Sequence, residues 1–228
     1  MSANGNEETG MSTFKIEGKQ FLDGLFPELN WEEVKSDTYD EIFKKLMGIE
    51  KFGSEIVAYM KEKRIRIGFH KQYKSGGGWT FIRNITLSPK DKKNPLTPYV
   101  LSLIVHETYH LQQTIWMRLS MQGELRAWKY QKETYPSIAK TSGGEIGSEG
   151  EAYGEVRVTK EFWDELAKLD PDSRDDLEKA QEVMTKIAPG YRSGCLPLYP
   201  LGQEFKYFWG RREYVSAFSA FWKMVTCR

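Results

Sequence analysis

The sequence predicts a mostly helical α+β protein in which a small β-hairpin or sheet precedes a helical C-terminal half. Three observations carry this. Polar and apolar residues alternate through Arg64–His70, and a second strand-like run follows Gly76-Gly77-Gly78, matching the two-residue period of a half-buried strand. Apolar residues recur at helical intervals on both sides of this stretch. Thr97-Pro98 and Asp170-Pro171 each set a capping side chain before a proline, the mark of a helix start.

Residues 1–12, rich in Asn, Gly, Glu and Ser, read as a disordered lead, with 13–228 as a single domain. Trp31–Lys63 reads as helical, with Ile42, Phe43, Leu46, Met47 and Ile49 before a break near Gly53 and Ile56, Val57 and Met60 after it. Arg64–His70 is a strand, Gly76–Gly78 a turn, and Trp79–Leu87 contains a second strand or two short ones, so a hairpin is expected. Ser88–Asn94 is a polar loop. Helix runs from Thr97-Pro98 through Leu111, and a further helix covers about Met121 to Lys132. Thr141–Gly144 is a loop, and Glu151–Leu169 reads as helix. Asp170-Pro171 then opens a helix to about Ile187 that Pro189-Gly190 ends. Tyr191–Gly210 is irregular. The last helix carries Tyr214, Phe218, Phe221, Trp222 and Val225 at helical spacing, which predicts core packing for its aromatics.

The charge balance excludes some functions. There are 33 basic and 32 acidic residues, for a net charge of +1. Neither nucleic acid nor an anionic membrane is the expected partner, and the basic run around Lys61–Lys74 reads as solvated. No apolar stretch approaches the ~18 residues of a membrane span. Met1–Gly10 is polar and acidic rather than signal-like, so a cytoplasmic location is expected. Cys195 and Cys227 lack metal-binding spacing and read as free thiols.

Chemistry concentrates in Leu103-Ile-Val-His106-Glu107-Thr-Tyr-His110-Leu-Gln-Gln113, which contains His-Glu-x-x-His on a predicted helix. Positions i and i+4 share one helix face, so two imidazoles there can reach one metal ion. Glu107 projects beside them, where it can hold a water. Two of the chain's three histidines are spent on this motif. A catalytic zinc site needs a third protein ligand and one open position. The metzincin extension is excluded by Gln113 and Trp116. No histidine follows His110, which points to a carboxylate.

Glu124 is the preferred third ligand. If the chain reverses near Met117, its two arms have equal length, about 7 residues or ~10 Å each, and Glu124 meets His110 across a helix pair. Ser120 then caps the second helix. No Gly or Pro stands between His110 and Ser120, and a straight helix would leave Glu124 ~21 Å away. The alternative ligands are Glu149 and Glu151, beyond the glycine-rich loop.

His106-Glu107-x-x-His110-x-x-Gln113 followed by Gly123-Glu124-Leu125-Arg126-Ala127-Trp128 resembles the small zincin-type, gluzincin-like zinc metallopeptidases. The resemblance covers His106 to Tyr130 and the apolar residues leading into it. It implies a zincin-like domain, a Zn²⁺ cofactor, Glu124 as ligand and a break between the two helices. The thermolysin-type aspartate four residues after the ligand glutamate is replaced by Trp128.

The expected function is therefore zinc-dependent hydrolysis of a peptide bond in a peptide or protein substrate, with Glu107 as general base. Tyr109, Tyr153, Arg126 and His70 are candidate donors to an oxyanion. The resemblance also implies that an edge strand before the metal helix can take an extended peptide as a further strand, as in zincins. The alternative is a catalytically idle zincin fold serving as a metal-binding interaction or regulatory module.

Overall fold

The computed structural model describes residues 31–71, 77–79, 84–142, 151–153, 156–158, 160–187, 196–213, 215–216, 218–219 and 222. The expected lead over 1–12, both cysteines and Glu149 lie outside these residues.

The chain enters through β1 (Trp31–Glu33), α1 (Ser36–Met47), α2 (Gly53–Glu62), β2 (Arg66–His70), β3 (Gly77–Trp79) and β4 (Asn84–Leu87). The strands form one mixed sheet in the order β1-β2-β4-β3. β1 runs antiparallel to β2, β2 parallel to β4, and β3 antiparallel to β4. The register pairs Ile67 with Ile85 and Phe69 with Leu87. These four buried residues form the apolar side of the sheet and join Ile42, Leu46, Ile56 and Met60 of α1 and α2 in one core.

Three expectations change here. The hairpin joins β3 to β4, whereas β2 and β4 are parallel neighbours. Gly77 and Gly78 belong to a strand and not to the turn. Alternation reports that a strand has one buried face; it does not report the strand's neighbour or its direction. Trp31–Glu33, expected as helix, is a strand because it pairs with β2. The Trp31 ring lies on Gly68, where a Cβ would come 2.3 Å from Trp31 Cε2. This long-range contact leaves no trace in local periodicity.

Ser88–Asn94, expected as loop, contains a 3₁₀ turn over Pro89–Lys93. α3 (Pro98–Gln112) starts as expected: Thr97 accepts a hydrogen bond from the Val100 N–H at 3.2 Å, and Pro98 opens the helix. Buried residues occur on every side of α3, which makes it the central helix of the fold. A short α4 (Ile115–Arg118) leads into α5 (Met121–Ser142), which is longer than expected and continues through Pro136.

Beyond α5 lie β5 (Glu151–Tyr153) and β6 (Val156–Val158), paired antiparallel, then α6 (Lys160–Lys168), α7 (Arg174–Ile187) and α8 (Leu201–Gly210). The first part of the helix expected over 151–169 is therefore a β-ribbon. Asp170-Pro171 makes a turn and does not cap a helix. The Ser173 N–H donates to the Asp170 carbonyl at 3.1 Å, with Pro171 in the first central position of the turn. Ser173 caps α7 by accepting from the Asp176 N–H at 3.4 Å. Asp-Pro serves both a turn and a helix start, and here the turn prevails. α8 occupies the second half of the stretch expected to be irregular.

A second core joins Met121, Leu125 and Trp128 of α5 to Phe162 and Leu166 of α6 and Leu177, Ala180 and Met184 of α7. α3 supplies six residues to the first core, and the first half of α5 supplies three to the second. Tyr214 and Phe221 lie outside the described residues, and neither Phe218 nor Trp222 joins a core. Phe218 is 68% exposed and Trp222 65%, against the expectation of core packing. Helical spacing makes an apolar stripe but does not supply a surface to cover it. Among the described residues no helix is long and apolar enough to cross a membrane.

Candidate metal centre

The site depends on how α3 ends. Gln113 takes an extended conformation, with ψ of 161°, although neither glycine nor proline is present. Side chains make the break. Arg118 donates from Nε to the Gln113 carbonyl at 3.0 Å and from Nη2 to the Leu111 carbonyl at 2.7 Å. The Tyr59 hydroxyl also donates to the Leu111 carbonyl. These bonds satisfy carbonyls that a helix end would otherwise leave without partners. Thr114 caps the short α4, accepting from the Met117 N–H at 3.4 Å.

The second helix is anchored by a local cap and by carbonyls far along the chain. Ser120 Oγ accepts from the Gly123 N–H at 3.1 Å, the cap expected of it. The first-turn N–H groups of Met121 and Gln122 donate to the carbonyls of Pro197 and Leu198, at 2.8 and 2.9 Å. Gly123 allows the tight approach: a Cβ there would lie 1.9 Å from the Met117 carbonyl oxygen. α5 thus folds back along α3.

This return brings Glu124 to the histidines. Glu124 Oε1 is 3.3 Å from His106 Nε2, and Oε2 is 3.1 Å from His110 Nε2. The two Nε2 atoms are 3.1 Å apart. All three side chains are buried. The trio can hold a metal ion, since each residue offers one ligand atom and these atoms lie within 4.8 Å of one another. Two ligand atoms of a tetrahedral zinc ion, each ~2.1 Å from the metal, stand about 3.4 Å apart. The Nε2–Nε2 separation, and the distance from each imidazole to its own Glu124 oxygen, fall close to that edge length, and two imidazoles with one carboxylate are a donor set that zinc takes.

Both histidines are held from behind. His106 Nδ1 meets Gln131 Oε1 at 2.9 Å, and His110 Nδ1 meets Gln113 Oε1 at 3.3 Å. The Trp128 ring lies edge-on to His106, with centroids 5.3 Å apart, and also packs on Phe162 and Trp163. The position of the thermolysin-type aspartate is thus filled by an aromatic wall, and the histidine partner comes from Gln131 instead.

Glu107 is buried beside the trio. Burial raises its pKa, an effect that the two histidines offset only in part. Among the described residues none donates a hydrogen bond to its carboxylate. Burial acts to lower the His110 pKa, but the Glu124 carboxylate, with Glu107 behind it, outweighs this and holds it above the ordinary value. Burial works against the Glu124 anion, yet His110 and His106 hold its carboxyl well below the usual carboxylate range.

Two other residues singled out in the sequence make contacts of their own. Arg126 pairs with Asp172 at 2.8 Å. Tyr109 stacks on Tyr130, with centroids 4.6 Å apart. His70 ends β2, in register with Trp31. Tyr153 and Glu151 sit in the β5 ribbon, and their side chains lie outside the described residues. Sequence reasoning missed Ser102, Gln131 and the role of Gln113. A signal was present: Ser102, His106, His110 and Gln113 form a polar stripe at helical spacing along an otherwise apolar helix, and Gln131 lies two turns after Glu124. Comparisons with family models, curated proteins and solved structures returned no match for this chain.

Proposed function

We propose that the chain is a zinc-dependent hydrolase of peptide bonds, with His106, His110 and Glu124 as metal ligands and Glu107 as general base. The observation that carries this reading is the buried trio with a fourth ionisable group, Glu107, in the same electrostatic neighbourhood. Bound zinc supplies Lewis acidity that brings the pKa of water toward neutrality. Two neutral imidazoles and one carboxylate leave the centre net positive. Glu107 takes the proton from water and passes it to the leaving amine. Its burial moves its pKa up from the ordinary glutamate value, toward the pH at which a base must both accept and return a proton.

The same residue favours an enzyme over an idle metal-binding module. A buried carboxylate to which none of the described residues donates costs stability, and metal binding alone does not require one. β3 supports a peptide substrate. It is the last strand in the sheet order and packs against α3, where an extended chain would add a further strand.

Metal analysis combined with one substitution tests the proposal. The purified protein is expected to hold about one zinc per chain, the complement of a single three-ligand site. Glu107→Gln should keep that zinc and lose hydrolysis of a peptide library, since an amide cannot accept the proton. Unchanged turnover in Glu107→Gln would remove the general-base role, and zinc without any turnover in the native protein would leave the idle module.

A further inference from the structure

An imidazole binds a cation through the nitrogen that lacks a proton, and which nitrogen that is depends on what the other one meets. For His106 the choice traces back to a backbone carbonyl. The Tyr99 carbonyl only accepts, so the Ser102 hydroxyl donates to it, at 2.8 Å. The hydroxyl's single hydrogen is then committed, and Ser102 Oγ is left as an acceptor for Gln131 Nε2, at 2.9 Å. This turns the amide with Oε1 toward His106 Nδ1, at 2.9 Å. An amide oxygen cannot donate, so Nδ1 carries the proton and the Nε2 lone pair faces His110 and Glu124. His110 repeats the scheme. Gln113 Nε2 donates to the Gly123 carbonyl at 3.0 Å, which turns its Oε1 toward His110 Nδ1.

We propose that Gln131, oriented by Ser102, is a positioning residue for the metal: it fixes His106 in the Nδ1–H tautomer and leaves Nε2 for the cation, as Gln113 does for His110. The inference rests on the zinc-site reading and goes beyond it by assigning part of the site's affinity to two neutral amides. A carboxylate behind the imidazole would make it more basic and add negative charge; an amide orients the ring and leaves the centre more electrophilic. Gln131 and Ser102 are each 1% exposed, so water does not take over when either is removed.

The test measures zinc affinity of the full chain by competition with a chromophoric chelator, with melting of the metal-free protein as the check on folding. Gln131→Leu is expected to bind zinc about 10–100-fold more weakly. Gln131→Glu should restore affinity to within a few-fold, because its carboxylate accepts the same Nδ1–H. Ser102→Ala should lose less than Gln131→Leu, since the amide remains but its orientation is no longer imposed. Nitrogen-15 spectra of the zinc-loaded protein should show an exchange-protected His106 Nδ1–H that weakens in Ser102→Ala and vanishes in Gln131→Leu, while that of His110 remains. If Gln131→Leu does not fold, Ser102→Ala and the ring-proton signal decide. Native affinity in Gln131→Leu overturns the proposal, and so does an equal loss in Gln131→Leu and Gln131→Glu, which would make Gln131 a packing residue. A native protein that binds no zinc overturns the metal-site reading with it, whereas zinc binding indifferent to Gln131 overturns the positioning role alone.

Discussion

At the scale of single residues, the trio works by setting burial against charge. Glu124 lies between two imidazoles at 3.1 and 3.3 Å, and its removal should strip the metal as the loss of either histidine would. Glu124→Ala is expected to lower zinc affinity steeply in a chelator competition, while Glu151→Ala should leave it near native. The reverse order would put the ligand on the β5 ribbon. The proton on His110 gives a pH dependence with a definite sign. Glu124 raises the His110 pKa, so the metal-free protein keeps that proton to higher pH than a free imidazole does. Zinc must displace it, and below the His110 pKa affinity should fall up to about tenfold per pH unit for each proton displaced. Calorimetry at neutral pH in buffers of different ionisation enthalpy should detect proton release on zinc binding, and binding without release would contradict the raised pKa. In the metal-free protein the stabilisation from His110 is present below the ordinary histidine pKa and is lost as pH rises through its raised value. That from Glu124 is present above the ordinary glutamate pKa and is lost as pH falls through its lowered value.

At the scale of elements, the break between α3 and α5 does the positioning. A continuous helix would carry Glu124 away from the histidines; a capped end followed by a tight return brings it back. Gly123 is the most sensitive point. In Gly123→Ala the new methyl would stand 1.9 Å from the Met117 carbonyl, a backbone atom, so the first turn of α5 must move. The expected cost is about 1–3 kcal/mol of stability, together with weaker zinc binding because Glu124 is the next residue. Thermal melting and zinc titration of this variant check both, and native values in both would mean that the return has slack. Thr97→Ala serves as contrast. It removes the cap at the far end of α3 and should cost about 1 kcal/mol with little change in zinc affinity. The sequence showed both Ser120 and Thr97 as caps. It also held Arg118, which bonds the carbonyls at the end of α3, and Thr114, which caps α4, but nothing marked either as a sign of a break. An arginine reaching back to two carbonyls is a tertiary act, whereas glycine and proline act through their own backbone.

At the scale of the whole molecule, the trio stands on α3, which packs into one core with α1, α2 and the sheet, and on α5, whose first half packs into another with α6 and α7. A metal there would join the two through α3 and α5. Zinc removal is therefore expected to lower the melting temperature, by the equivalent of about 4 kcal/mol where free zinc stands at 1,000 times its dissociation constant. Scanning calorimetry with and without chelator checks this, and coincident transitions would show that the metal stabilises neither core.

The sequence by itself determined the mostly helical α+β class, the start of α3 at Thr97-Pro98, and the pairing of His106 with His110 on one face of that helix. All three follow from intervals of one to four residues, where backbone geometry leaves little choice. Only the tertiary structure decided the rest. The sheet order β1-β2-β4-β3 and the exposure of Phe218 and Trp222 depend on which surfaces meet, and period alone does not encode that. Which carboxylate faces the histidines depended on a helix end made by Arg118 and Tyr59. The glutamine behind His106 depended on α5 keeping its register along α3 for two further turns. Contacts between residues far apart in the chain arise from packing, and local pattern limits them without choosing among them.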